Sequence, residues 1–205
     1  MQLFLLIVLI YSAIIHEYSH GWMADRLGDP TAKYSGRLTL NPIPHIDPVG
    51  SILVPALLWL SNVGFIIGWA KPVPFNPYNL RDQKYGAAKV ALAGPASNLI
   101  LALIFGLIIR FMPNEGIFAV LSALFSLIVF INLLLMIFNL MPLPPLDGSR
   151  ILAAFLPYQG QVFLAQIEPY GLFIILFFAF SVFGVVILPI LRFLFYLITG
   201  TNLFI

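Results

Sequence analysis

Residues 10 to 28, IYSAIIHEYSHGWMADRLG, decide how this chain is read. They continue the apolar opening MQLFLLIVL without a break, then place His16, Glu17 and His20 inside it. Ionisable groups within a lipid-spanning helix are costly and point to function. On a helix, residues i and i+4 lie one above the other, so His16 and His20 present two imidazoles to one point. Glu17 stands about 100° further round, close enough to reach a water held there. H-E-x-x-H is the helical pattern of zinc hydrolases, with two nitrogens for the metal and a carboxylate for the proton. The plain alternative is a solvated helix face, and an apolar surround disfavours it.

The composition agrees with a membrane location. The 205 residues are 61% hydrophobic and 9% charged, and mean hydropathy is +1.02. A soluble domain carries about a quarter charged residues. The expected class is therefore an all-α polytopic membrane protein, a single membrane-embedded domain over residues 1–205 with the lipid bilayer as its surroundings. Cysteine is absent, so any metal must be held by His, Asp or Glu. A net charge of +2 without a basic run gives no reason to expect a nucleic-acid partner. The N-terminus lacks a basic segment and a small-residue cleavage site, so residues 1–25 read as a retained first helix.

Along the chain, residues 26–50 form a loop rich in Gly, Pro and Asp, in which YSGRLTL (34–40) alternates enough for a short strand. Residues 51–70 are apolar and about long enough to cross. A polar, Pro-rich stretch follows, then spans at 86–112 and 117–141 joined by the turn PNEG. PLPPLDGSR breaks the second of these, a short segment covers 149–159, and a last span runs from 171 to about 199, interrupted by Pro189 and Arg192. About four transmembrane helices are expected.

Basic residues set the topology. If residues 51–70 crossed, Arg26, Lys33 and Arg37 would face one side and Lys71, Arg81, Lys84 and Lys89 the other, against the positive-inside tendency. If the segment enters and returns, with Pro55 and the turn-like SNVG (61–64) permitting it, all seven share a side with Arg150, and only Arg110 and Arg192 oppose them. The expected architecture thus has a membrane re-entrant or β-hairpin segment between the first and second spans. The N-terminus lies outside, and the His pair lies about 22 Å along the first helix, nearer the cytoplasmic face of a cell (plasma or inner) membrane.

Two imidazoles and a water leave a tetrahedral zinc one ligand short. The remaining donors are Asp25, Asp29, Asp47, Glu115, Asp147, Glu168 and His45. Asp25 and Asp29 are too near the end of the first helix, and Glu115 lies at the outer turn. Asp147, in NLMPLPPLDG, stands where prolines interrupt a helix and Gly148 allows an unusual backbone angle. It ranks first, with a helix N-cap as its alternative role.

Three stretches in order, HEYSH (16–20), AGPASN (93–98) and FNLMPLPPLDG (138–148), resemble the motifs of the site-2 protease family of intramembrane zinc metalloproteases. The linking stretches LNPIPHIDPVG and GWAKPVPFNP are similar to those of its short prokaryotic members. The resemblance implies that His16, His20 and Asp147 bind one zinc ion and that Glu17 is the catalytic base. It implies a metalloendopeptidase whose substrate is the transmembrane helix of another membrane protein. Asn98 is implied to support the active site or its substrate, with a helix-packing amide as the alternative, and Asn139 occupies a similar polar position. PDZ or CBS domains, common in relatives, are not expected within these residues. His45 is read as a loop residue, with an additional metal ligand as its alternative.

Cleavage requires the substrate helix to unwind, and strand addition to an edge formed by YSGRLTL and the re-entrant segment is one way to hold it extended. Water is expected to arrive through a polar channel near Asn98 and Asp147. A metal-ion transporter and an inactive membrane-protein-binding scaffold are the competing readings. The sequence leaves open the oligomeric state, a homo-oligomer included, as well as substrate and cleavage site.

Overall fold

The computed structural model describes residues 2–61, 68–113 and 115–203. Helices α1 (Gln2–Arg26), α2 (Thr31–Tyr34), α3 (Val54–Leu60), α4 (Gly86–Phe111) and α5 (Ile117–Asn139) come first. They are followed by α6 (Asp147–Ala153), α7 (Tyr158–Ile167), α8 (Gly171–Val182) and α9 (Leu188–Thr199). Four helical stretches are long and apolar enough to cross a membrane: Leu3–Arg26, Gly86–Phe111, Ile117–Asn139 and Tyr158–Phe178. The protein is all-helical, as expected.

Three expectations change. The fourth candidate span starts at Tyr158 rather than 171, and Phe183–Thr199 is a shorter apolar helix. Pro169 falls in the first turn of a 3₁₀ segment, where its missing N–H costs nothing, so the helical path continues through it. YSGRLTL forms no strand, and none exists among the described residues. Its backbone closes on the preceding helix instead, with Gly36 N–H donating to Lys33 O and Arg37 N–H to Ala32 O. The turn SNVG lies mostly outside the described residues, and what is described of 51–70 contains α3 rather than a hairpin strand. The two ends of that segment nevertheless meet. Trp69 N–H donates to Gly50 O (3.1 Å), and Ser51 Oγ donates to Trp69 O (2.8 Å).

Helix α4 is the centre of the bundle and packs on α1, α5, α6 and α9. One apolar cluster joins it to α5 and α9 through Ala102, Ile109, Val129, Leu133, Met136, Leu191, Phe195 and Ile198. A second, smaller cluster joins α1 and α4 through Ala24, Leu80 and Val90. Residues 91–98 of α4 lie between the two. Among the buried residues of α1, Val8, Ser12, His16, His20 and Ala24 form a stripe with a step of four. That spacing is the face one helix offers another, and here its middle is polar.

Candidate metal centre

His16 and His20 sit on this stripe with ring centroids 4.6 Å apart. Each ring spends its Nδ1 on a fixed oxygen. His16 Nδ1 is 2.6 Å from Asn98 Oδ1, and His20 Nδ1 is 2.7 Å from Val90 O. A carbonyl oxygen only accepts, so both Nδ1 atoms are the protonated nitrogens and both Nε2 lone pairs are free. Both Nε2 atoms face Asp147 Oδ2, at 3.1 Å from His16 and 3.3 Å from His20.

Asp147 reaches this point because the chain breaks after α5. Asn139 ends that helix, and the first turn of α6 opens at Asp147, with Leu146 in the N-cap position. The carboxylate makes no helix cap. Gly148 serves by its size, not by an unusual φ. A Cβ there would lie 2.3 Å from the carbonyl oxygens of both Leu140 and Met141, so only glycine lets α6 fold back this close to the end of α5.

The second close approach is at Gly94. A Cβ on it would lie 2.4 Å from His20 Nε2 and 2.6 Å from His16 Cε1. Glycine therefore brings α4 against the two rings, and four residues on, Asn98 is brought beneath His16. Asn98 has no exposed surface. Its amide donates to Asn132 Oδ1 (2.9 Å) and Ser12 O, which leaves Oδ1 facing the imidazole. Asn132 in turn donates to Ser12 Oγ (3.0 Å) and Ile128 O. Three helices thus meet in one satisfied polar network around Nδ1 of His16.

The donor set fits zinc. Ligand atoms about 2.0–2.1 Å from a tetrahedral ion lie about 3.3 Å from one another. The two distances to Asp147 Oδ2 match that edge, and one atom from each of the three residues lies within 4.8 Å of the others. Carbonyl partners behind both imidazoles are the supporting shell that zinc sites use. Among the described residues this is the one such group of His and acidic side chains.

Peptidase family M50 matches residues 114–182. The chain is 41% identical over 179 residues to YwhC of Bacillus subtilis (strain 168), a protein named as a candidate zinc metalloprotease, and the match covers 84% of this chain and 78% of that one. The chain belongs to peptidase family M50. It is an intramembrane zinc metalloprotease acting on membrane proteins in a lipid bilayer. Rip2 of Mycolicibacterium smegmatis, similarly named, is 33% identical over 168 residues, covering 81% of this chain and 62% of Rip2. MJ0611 of Methanocaldococcus jannaschii is 41% identical over 68 residues, about a third of each chain. No solved structure matches the protease.

Glu17 of the protease lies beside the cluster and accepts the Val73 N–H on Oε2 (2.8 Å). A cavity of about 120 Å³ opens onto His16, Glu17, His20 and Asp147. Pro72, Val73, Phe75, Asn139 and Arg150 are among its walls. Asn139 therefore faces the cavity, while its amide donates to Leu135 O one turn back (3.0 Å). Asn98 is not in the wall, so the expected polar approach reaches Asp147 but not Asn98. His45 stands apart from the cluster. It is buried, its Nε2 bonds Thr39 O (2.9 Å), and its own carbonyl accepts the Lys71 N–H (2.9 Å).

Several contributors escape a reading by motif. Ser12 was signalled by its place one turn before His16 on the same face, and Asn132 by being an amide inside an apolar span. Val73 and Gly94 act through a backbone N–H and a missing side chain, and neither leaves a chemical mark in the sequence.

Proposed function

We propose that His16, His20 and Asp147 hold the zinc of this protease and that Glu17 is its general base. The observation that carries the reading is the convergence of two Nε2 lone pairs on one carboxylate oxygen, at distances that match a tetrahedral edge, with both ring tautomers already set from behind. Zinc, when bound, supplies Lewis acidity and brings a bound water toward neutral pKa. Glu17 keeps Oε2 on the Val73 N–H, and Oε1 is the oxygen that takes a proton from water and returns it to the departing amine. Asn98 holds His16 in the tautomer and orientation the metal needs, and Asn139 offers its carbonyl oxygen to groups entering the cavity.

The substrate is a transmembrane helix, unwound where it is cut, because a helical carbonyl is already hydrogen-bonded and shielded. Residues 1–205 act as one membrane-embedded protease domain with its core motifs at 16–20, 93–98 and 139–148. The N-terminus lies outside, the centre lies nearer the cytoplasmic face of the cell membrane, and residues 51–70 re-enter rather than cross. Support for re-entry comes from the Gly50–Trp69 and His45–Lys71 hydrogen bonds, which bring the two ends of the segment together. Because the chain contains no cysteine, single cysteines at Lys33 and Lys71 are clean probes. Both should react with an impermeant thiol reagent from the cytoplasmic side, and reaction from opposite sides would mean the segment crosses.

Glu17→Gln tests the mechanism. Cleavage of a co-expressed single-span substrate should vanish while zinc content is kept. A transporter would still move metal with this change, and a scaffold would cleave nothing in either form.

A further inference from the structure

Arg37 is a buried cation that the mechanism does not use. It is 7% exposed, and among the described residues no carboxylate pairs with it. It spends its guanidinium on backbone oxygens: NH1 donates to Pro44 O, and NH2 donates to Lys71 O (2.6 Å) and Pro72 O (3.1 Å). Its Nε finds no partner. Burying a charge in this way is costly unless its hydrogen bonds do something a smaller residue could not.

The sequence of the segment it grips explains the need. Residues 71–75 read KPVPF, with two prolines in five. Proline donates no hydrogen bond, so this strap cannot supply the donors of a regular ladder, and its Lys71 and Pro72 carbonyls are met by a side chain instead. A guanidinium presents five N–H groups in a rigid fork. From one side chain it fixes two consecutive strap carbonyls and ties them to the 37–45 loop. The residue immediately after those carbonyls is Val73, whose N–H lies on Glu17. The strap also forms part of the cavity wall through Pro72, Val73 and Phe75.

We infer that Arg37 is a positioning residue for Glu17: it fixes the 71–75 strap so that the Val73 N–H holds one carboxylate oxygen and aims the other at the reaction centre. The inference rests on the reading of Glu17 as general base. It makes no claim on zinc binding, since Arg37 touches none of the three metal ligands.

The test uses the full chain in micelles, with three readouts. Val73 lies between two prolines, so its amide is the only exchangeable one from residue 72 to 74, and hydrogen exchange there reports the strap bond directly. Arg37→Ala should speed that exchange, leave zinc content and KM unchanged, and lower kcat by about 10- to 100-fold, the range expected when a reacting group is misplaced by about an ångström. Arg37→Lys keeps the charge without the fork and should fall between. If Arg37→Ala does not accumulate, Arg37→Lys carries the same readouts. Unchanged Val73 exchange with unchanged kcat overturns the inference, as does loss of zinc, or a raised KM at unchanged kcat. Glu17→Gln is measured in parallel. If it still cleaves, the reading of Glu17 fails. If it is inactive while the Arg37 variants match wild type, only the inference about Arg37 fails.

Discussion

Gly94 sets how near α4 lies to the two imidazoles. An added methyl would stand 2.4 Å from His20 Nε2 and 2.5 Å from its Cε1, well inside contact distance and against rings that packing holds in place. Gly94→Ala should therefore lower zinc affinity by about 10- to 100-fold, the scale seen when the support of a metal ligand is disturbed, while the helices still assemble. Competition with a chelator measures it, and unchanged affinity would mean the rings move freely. At this scale the sequence was most readable where chemistry repeats at a fixed step. His16, Glu17 and His20 announce themselves because i, i+1 and i+4 on a helix have known directions. Asp147 was legible as a carboxylate beside a proline break, but the reason it arrives is Gly148, which was expected to supply a backbone angle and instead supplies space. Asn98 was recognisable by its motif. Its bond to His16 was not, because that depends on how closely two helices approach.

The elements around the centre are joined by short polar ties rather than by apolar packing alone. Asp29 follows α1 and has no exposed surface. It accepts from the Thr31 side chain and N–H, from Asn79 Nδ2 (2.9 Å) and from Asn76 N–H (2.6 Å). It thereby fixes the end of the first helix to the loop that leads into α4. Burial raises its pKa, but the hydrogen bonds from Thr31, Asn79 and Asn76 outweigh burial and hold it below the ordinary carboxylate value. A lowered folded pKa means that the stabilisation is complete above the unfolded carboxylate range and is lost as pH falls through the folded value. Asp29→Asn should cost about 1–3 kcal/mol at neutral pH and flatten the acid limb of the stability curve. Thermal unfolding in micelles from neutral pH downward measures both, and an unaltered acid limb would remove Asp29 from the account. The expectation of a strand at YSGRLTL failed at this same scale. Alternation along one segment cannot reveal whether a second strand is available to pair with it. Here Arg37 takes up neighbouring carbonyls, and the backbone closes a helical turn.

At the scale of the molecule, the described apolar bundle encloses a polar seam. The larger core cluster binds α4, α5 and α9 on one side of the seam, and the smaller cluster closes it near the loops. Hydropathy and helix length made three of the four candidate spans legible, since lipid leaves helices few alternatives. The last span was misplaced at both ends: it runs from Tyr158 to Phe178, and Pro169 within it sits where a proline is tolerated. The meeting of α1 with α6, 131 positions apart between His16 and Asp147, could be expected from motif resemblance but not computed from spacing. The most direct test of the central claim is the metal content of purified protein by elemental analysis, for wild type and for His16→Ala, His20→Ala and Asp147→Ala. The account predicts about one zinc per chain in wild type and near-complete loss in each variant, with the helical content kept. Full zinc in Asp147→Ala, or a wild type that takes up none, would contradict it.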